Sequence, residues 1–456
     1  MTNKEILLNI LSGEETPRAG WVPFAGVHAG KLTGYNAIEV LTEEDKLLES
    51  LRAVNRLYNP DGQIILFDLQ VEAEILGCTL RYVHDCAPSV VSHPLSKEAI
   101  VPCDCKIPAK EEGRLPMILR VMEQMKREIG DSTALIGLVC GPLTLASHLR
   151  GTDLFMDMYD DPDYVKNLLG FCTKTAKQMA TFYIEAGMDI IGFVDPLISQ
   201  ISPDTFLQFP SEPYKELFRF VADKNVFSAF FVCGDAGQNI EPMCQTKPHA
   251  IFIDENIAIG QAKQITDRYG IALGGNIPLT TTMLYGTQDD NRQAVINIID
   301  ACGGHRGVVI APGCDMPFDV PVENTIAVAF AVAHYEETKK MIAGYNGKLP
   351  LDDIVVTLPD YPNLTKTLVE VFTLDSLTCA ACGYLMNTVN ELHRDNPELF
   401  DMVEYRYTKL ENIKRCQLMG IKNLPALYIN GTLVYSSIIP AKHLLLEQIK
   451  NATHSD

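Results

Sequence analysis

Three carboxylates and three thiols stand at the ends of short apolar runs. They are Asp68 after "IILF", Cys140 after "ALIGLV", Asp195 after "IIGFV", Cys233 after "FSAFFV", Asp254 in "AIFIDE" and Cys314 just beyond "GVVIAPG"; Asn276 closes a seventh run, "IALGGN". Two thiolates with one nitrogen or oxygen ligand make a zinc site that keeps a position open for substrate. Such a metal lowers the pKa of a bound thiol or stabilises an oxyanion at neutral pH. Cys233 and Cys314 lie on separate runs, so no short Cys-x-x-Cys spacing advertises a metal. Taken alone, Cys314 is packing, half of a disulfide, or a reagent. A second thiol pair is local. In "LTCAACGY" Cys379 and Cys382 open a helix directly after the strand pattern "LVEVFTL". A helix N-terminus there stabilises the Cys379 thiolate, and Cys382 one turn on can resolve it.

The elements that must position these groups alternate. Strand-like runs are expected at 64–68, 134–140, 190–195, 227–233, 250–255, 271–276 and 307–313, with a further strand near "WVPFAGV" (21–27). Longer patterns with helical spacing lie between them, for example "YVKNLLGFCTKTAKQMATFYIEAG". Strands alternating with helices imply a parallel sheet. Eight of them fit a (β/α)8 TIM barrel, α/β in class, over residues 1–346. A doubly wound open sheet is the runner-up, but no GxGxxG or P-loop follows any strand. In a barrel the reactive groups gather at the carboxyl ends of the strands, so these run-ending side chains would share one mouth. A proline-rich connector is expected over 347–365. A smaller α/β unit follows over 366–456, with "ING" (429–431) as a hairpin turn.

The chain has 456 residues, 47% hydrophobic and 21% charged, with a formal net charge of −20. That length favours more than one domain. The acidic balance argues against nucleic acid and against an anionic membrane surface. The N-terminus "MTNKEILLNILSGEETPR" lacks the apolar core of a signal peptide, and no run approaches a membrane span. A cytoplasmic location is expected. Thirteen cysteines without an export signal do not read as a disulfide framework.

Six segments, "LFDLQVEAEILGC", "CGPLTLASHLRG", "VDPLISQISPDTFLQFPSEPY", "IDENIAIGQAK", "LGGNIP" and "APGCDMPFDVPVENTIA", together resemble the uroporphyrinogen decarboxylase superfamily over nearly all of residues 20–340. The resemblance implies a (β/α)8 barrel and one of two chemistries, porphyrin decarboxylation or corrinoid-dependent methyl transfer. Decarboxylases carry an arginine-rich "RQAGR" segment that holds the acidic side chains of the porphyrin. The matching stretch here is "VHAGK", with Val27 and Lys31 where arginines would stand, and neither offers the planar fork that binds a carboxylate bidentately. The decarboxylase tyrosine of "GxPxTLxxY" is replaced by His148, and the histidine of "NLGHG" by Cys314. Asp68 matches the decarboxylase aspartate, but "VEAEILG" beside it is methyltransferase wording. The corrinoid branch, similar to coenzyme M methyltransferases, uses a His-x-Cys-Gly segment and a later "APGC". Here Cys233-Gly234 and Cys314 are present, and Phe231 occupies the histidine position.

The resemblance therefore implies a methyltransferase that moves a methyl group between a small thiol or methyl ether and the cobalamin of a separate corrinoid protein. It implies zinc on Cys233 and Cys314, with Asp254 preferred as third ligand over His148 or Glu72. Asp68, Glu72 and His148 are candidates for substrate hydrogen bonding or proton transfer. On this reading a disulfide is the least expected state of Cys314. The C-terminal unit resembles a thioredoxin-like domain with Cys379 and Cys382 as its redox pair and Leu424-Pro425 as its cis-proline loop. Decarboxylation of a non-porphyrin acid, and a redox-sensing or partner-binding role on a degenerate barrel, are the alternatives.

Overall fold

Runs rich in Val, Ile and Phe build the first unit. The structure is a computed structural model in which residues 1–347, 351, 354–376, 380–421, 423–437 and 439–453 are described. Eight strands form one parallel sheet: β1 (Gly20–Trp21), β2 (Gly62–Ile64), β3 (Ala134–Cys140), β4 (Ile190–Val194), β5 (Phe227–Phe231), β6 (Ala250–Phe252), β7 (Ala272–Ile277) and β8 (Val308–Pro312). The pairing order is β1-β8-β7-β6-β5-β4-β3-β2, so β8 returns to β1 and the sheet curls into a near-closed barrel. The seam between β1 and β2 is made by one residue. Asp61 donates its backbone N–H to Trp21 O at 2.9 Å. Its buried carboxylate accepts from Trp21 N–H at 2.8 Å and from both terminal nitrogens of Arg18 at 2.6 and 2.8 Å. Two of the expected strands are short in the ladder. Pro23 has no N–H to give, so "WVPFAGV" pairs only at its start, and "IILFD" leaves the ladder after Ile64.

Helices return the chain outside the barrel: α2 (Glu44–Tyr58), α3 (Val71–Ile75), α4 (Leu115–Ile129), α5 (Pro142–Arg150), α6 (Pro162–Glu185), α7 (Ser211–Ala222), α8 (Ile259–Tyr269), α9 (Gln288–Ala301) and α10 (Val322–Ala333). Helix α4 buries one stripe, which includes Leu115, Ile118, Val121, Met122 and Met125, whereas α5 is buried all round, from Pro142 to Leu149. The first helix, α1 (Asn3–Leu11), has another task. It starts with a capping box from Thr2 and Glu5 and turns Ile6, Leu7, Ile10 and Leu11 into the core cluster at the amino ends of the strands. Lys4 anchors it there through Gly130 O at 2.7 Å and Asp189 at 2.8 Å.

The barrel interior is aromatic. Phe231 stacks on Phe252 with ring centroids 4.4 Å apart, and Phe24 packs against both at 5.3 and 5.5 Å. Glycines on the neighbouring strands make room for these rings. A Cβ on Gly274 would lie 2.1 Å from Phe252, and one on Gly192 would lie 2.6 Å from Phe231.

The second unit spans Lys348–Asp456. Its strands are β9 (Thr367–Thr373), β10 (Phe400–Arg406), β11 (Ala426–Ile429) and β12 (Thr432–Ser436), and its helices α11 (Ala380–Asp395), α12 (Leu410–Met419) and α13 (Lys442–Thr453). The sheet order is β10-β9-β11-β12, with β9 parallel to β10 and antiparallel to β11. Val369, Val371, Leu385, Val389, Phe400 and Leu427 form a core of its own. The turn at Asn430–Gly431 has both φ angles positive, at 48° and 76°, as a two-residue hairpin loop requires. The Leu424–Pro425 peptide is cis. Among the described residues no helix is long and apolar enough to cross a membrane.

Candidate active site

The carboxyl ends of the strands divide into groups that build the scaffold and groups that face the mouth. Asp195, just after β4, belongs to the scaffold. Its carboxylate accepts from the N–H groups of Leu143 and Thr144 at 3.0 and 3.1 Å, from the Thr144 hydroxyl at 2.6 Å and from the Tyr214 hydroxyl at 2.7 Å. It thus satisfies the open N–H groups at the start of α5. Burial lifts its pKa to about 6 while those four donors oppose the shift. Gly141 is required beside it, since a Cβ there would lie 2.4 Å from Asp195. Asn276 likewise ties loops together, donating to Asp254 O at 2.9 Å and Ile257 O at 2.8 Å. The Cys140 thiol is fully buried, and burial raises its pKa well above the ordinary thiol range. Asp195 and Cys140 are therefore fastened into the frame rather than presented to a substrate, while Asn276 also lines a cavity with Glu255 and Thr282.

Beyond β2 the chain gathers two carboxyls. Asp68 accepts from Gln70 N–H at 2.8 Å and from Arg114 at 2.7 Å. The Arg114 guanidinium also binds Glu74 at 2.8 Å, while its Nη2 is buried without a partner. Glu72 on α3 is 1% exposed and accepts from Cys140 N–H at 3.0 Å. Burial, with the nearby Asp68 charge adding to it, raises Glu72 to about 7, the range in which a carboxyl can both take and give a proton. His148 lies on α5, buried, with Nδ1 unpartnered; burial lowers its pKa to about 3. It is a neutral imidazole at physiological pH. That suits hydrogen bonding and argues against proton transfer.

On the other side, Cys233 and Cys314 meet. They follow β5 and β8, three strands apart, yet their Cα atoms are 5.9 Å apart and the sulfurs are joined as a disulfide. This departs from the expected pair of open thiolates. The reason lies in the two loops. Gly234, with φ at +82°, turns the chain after Cys233 and donates its N–H to Asp254 at 2.8 Å. Gly313 lies so close to the loop after β6 that a Cβ would be 2.8 Å from Glu255 N. Both loops thus converge on the loop after β6. Asp254, the expected third ligand, accepts with its second oxygen from Asn256 N–H at 2.9 Å and from the Asn256 side chain at 2.5 Å. It braces the Cys233-Gly234 turn.

The third zinc position is a test of the donor set. Phe231 holds its ring in the aromatic core, stacked on Phe252. Among the described residues no cluster of three or more His, Cys, Asp and Glu side chains is arranged to hold a metal. The residues present do not fit a three-ligand zinc site. A second disulfide, Cys103–Cys105, sits on the exposed loop before α4; sequence offered no sign of it beyond the Cys-x-Cys spacing.

Two acids that the strand-end rule missed belong to this face. Asp315, next to Cys314, accepts from Gly26 N–H at 2.9 Å, and burial raises it well above the usual carboxylate range, with the Asp68 charge contributing. Glu255 accepts from Leu279 N–H and is lifted by burial to about 8. Both directly follow a predicted site residue, and that adjacency was the available signal. In the "VHAGK" segment His28 is spent on structure, bonded to the Tyr58 hydroxyl at 2.6 Å and to Phe318 O at 3.0 Å. Lys31 pairs with Asp319 at 3.0 Å. In the second unit Cys382 is buried and accepts from Leu374 N–H at 3.3 Å; Cys379 lies outside the described residues.

The family model for uroporphyrinogen decarboxylase (URO-D) matches residues 2–335. The chain belongs to that family. The match ends before the second unit begins. Within the family, relatives of both chemistries are similar to it. Methylcobamide:CoM methyltransferase MtbA of Methanosarcina acetivorans is 25% identical over 343 residues, covering 74% of this chain and 98% of the relative. Methylcobamide:CoM methyltransferase MtaA of Methanosarcina barkeri is 30% identical over 276 residues, 59% of this chain and 78% of the relative. Uroporphyrinogen decarboxylase of Wolbachia pipientis is 27% identical over 309 residues, 66% and 87%. Among solved structures, a methyltransferase from Methanosarcina mazei superposes with a TM-score of 0.66 over 74% of this chain and 99% of its own, at 23% identity. That likeness speaks for the fold.

Proposed function

We propose that this URO-D family member is a methyltransferase, moving a methyl group between a small thiol or methyl ether and the cobalamin of a separate corrinoid protein. The observation that carries the reading is the state of the segment that holds acidic substrates in the decarboxylases. Val27 is buried, His28 is bonded to Tyr58, and Lys31 is paired with Asp319, so this segment offers no guanidinium to a porphyrin carboxylate. The similarity to MtbA and MtaA supports the same choice.

A cobalamin supplies a cobalt centre that gives or takes the methyl group. This chain's own residues handle the substrate. A thiol acceptor must lose its proton before it can attack carbon. Glu72, titrating near 7 in a buried setting, takes that proton and returns it in the reverse direction. Asp68 is fixed by Arg114 at 2.7 Å. His148 offers a neutral ring for a hydrogen bond. Among the described residues no third donor joins Cys233 and Cys314 to hold zinc.

For the C-terminal unit we propose a thioredoxin-like fold with Cys379 and Cys382 as a dithiol. The strand order β10-β9-β11-β12 and the position of Cys382 in the first turn of α11 support it.

The test uses full-length protein, methylcobalamin as the donor and a panel of small thiols that includes coenzyme M. Enzyme-dependent loss of methylcobalamin absorbance with formation of the methyl thioether supports the proposal. The reverse assay offers methyl ethers to cob(I)alamin. Protein that catalyses neither, yet releases carbon dioxide from a small acid without any corrinoid, is a decarboxylase and the proposal fails.

A further inference from the structure

The departure from a zinc donor set leaves the two mouth cysteines with a different chemistry. We infer that Cys233 and Cys314 are a thiol–disulfide couple whose co-substrate is a dithiol. The inference shares the mouth with the proposed methyl transfer but does not depend on that reading.

Each cysteine is held by anchors that do not involve the bond between them. On the β5 side, Val232 N–H donates to Phe252 O at 3.0 Å and Gly234 N–H to Asp254 at 2.8 Å. On the β8 side, Gly313 N–H donates to Ile277 O at 3.0 Å, and Asp315 receives Gly26 N–H at 2.9 Å. The frame thus sets the Cα separation at 5.9 Å, inside the window of about 4.4–6.8 Å in which two cysteines bridge without backbone movement. Reduction leaves both thiols facing each other, ready to close again. Both residues are half-buried, so a small thiol or the tip of a dithiol protein can reach them. The competing use, two thiolates on a metal, needs a third donor. Phe231 fills that place with a ring committed to Phe252 and Phe24, and Asp254 spends its oxygens on Gly234 and Asn256.

The exchange balances with a dithiol as reductant. One thiolate of the dithiol attacks a sulfur of the Cys233–Cys314 bond. That bond breaks, the other cysteine leaves as a thiolate and takes up a proton, and a mixed disulfide forms. The second thiol of the dithiol then attacks its own sulfur in the mixed disulfide, releasing the remaining cysteine. The couple gains two electrons and two protons, and the dithiol becomes a disulfide.

The experiment equilibrates the full-length chain anaerobically across ratios of reduced to oxidised dithiothreitol, quenches with iodoacetamide and maps peptides by mass spectrometry. Cys233 and Cys314 should lose alkylation together, give one cross-linked peptide, and recover together with a two-electron dependence. One equivalent of zinc added to the reduced protein should change their alkylation rates less than twofold. In Cys233→Ser, Cys314 should stay alkylatable at every ratio; the wild-type titration stands alone if that variant does not fold. The inference is overturned if both thiols of the wild type stay alkylatable throughout. It is equally overturned if stoichiometric zinc protects them more than tenfold and blocks oxidation. No corrinoid enters the assay, so its outcome and that of the methyl-transfer assay are independent.

Discussion

At the scale of single residues, burial decides which groups titrate where. Glu72 is the group whose shift bears on chemistry. Glu72→Gln should lower the rate of methyl transfer about 100-fold or more. It should also remove a rise in activity with pH centred near 7, read from the pH profile of kcat/KM. His28 bears on stability instead. Its folded pKa is lowered from 6.5 to about 4, chiefly by burial. The unfolded chain therefore binds a proton that the folded chain refuses, and stability is complete above pH 6.5 and drains away as pH falls to 4. The loss is of order 3 kcal/mol. His28→Gln, which keeps a polar group toward Tyr58 but cannot titrate, should flatten that acid limb in urea titrations from pH 7 to 4. An unchanged limb would assign it to His148 and His249, which burial lowers in the same direction. At this scale the sequence was informative about residue type and silent about exposure. Asp68, Cys233 and Cys314 stood out as strand-ending groups. Strand-end position alone did not distinguish them from Asp195, which caps α5, or Cys140, which is sealed in the core; only the family wording around them did.

At the scale of elements, long β-branched runs were legible and short ladders were not. "ALIGLVC" pairs over its whole length, 134–140, because seven successive apolar residues suit a strand covered on both faces. The β1–β2 seam rests on Asp61 and Arg18, two polar residues no periodicity would select. Arg18→Ala would leave the Asp61 carboxylate buried without its partner, a loss of about 3–5 kcal/mol; a fall in the urea midpoint with the m-value unchanged is the expected result. The amino-terminal segment carries no local sign of its role as a plug, since helix α1 takes its meaning from the open end of a barrel. Leu7, 1% exposed and packed at the amino ends of the strands, tests that role. Leu7→Ala should cost about 2–5 kcal/mol, measured by the same titration. The closure of Cys233 on Cys314 across 81 residues was also out of reach of sequence, because it depends on two loops that converge on the loop after β6.

At the scale of the whole molecule, the chain is two units with separate cores. The compositional change after Asn346, marked by prolines, lies beside the Gly347–Lys348 division. A chain ending at Gly347 keeps every core residue of the barrel. Its unfolding free energy should stay within about 1 kcal/mol of the barrel transition in the full protein, followed by circular dichroism in urea. Collapse of the truncated chain would show that the units share stability.

The plug at the amino ends of the strands also sets how the protein can be handled. Met1 sits one residue ahead of the Thr2 cap of α1, on the side away from the strand ends that carry Asp68, Glu72, Cys233 and Cys314. An affinity handle or surface tether fused at Met1 is therefore attached to the back of the barrel. Protein immobilised through that end should give the same result in the methylcobalamin–thiol assay as protein free in solution, whichever way that assay falls.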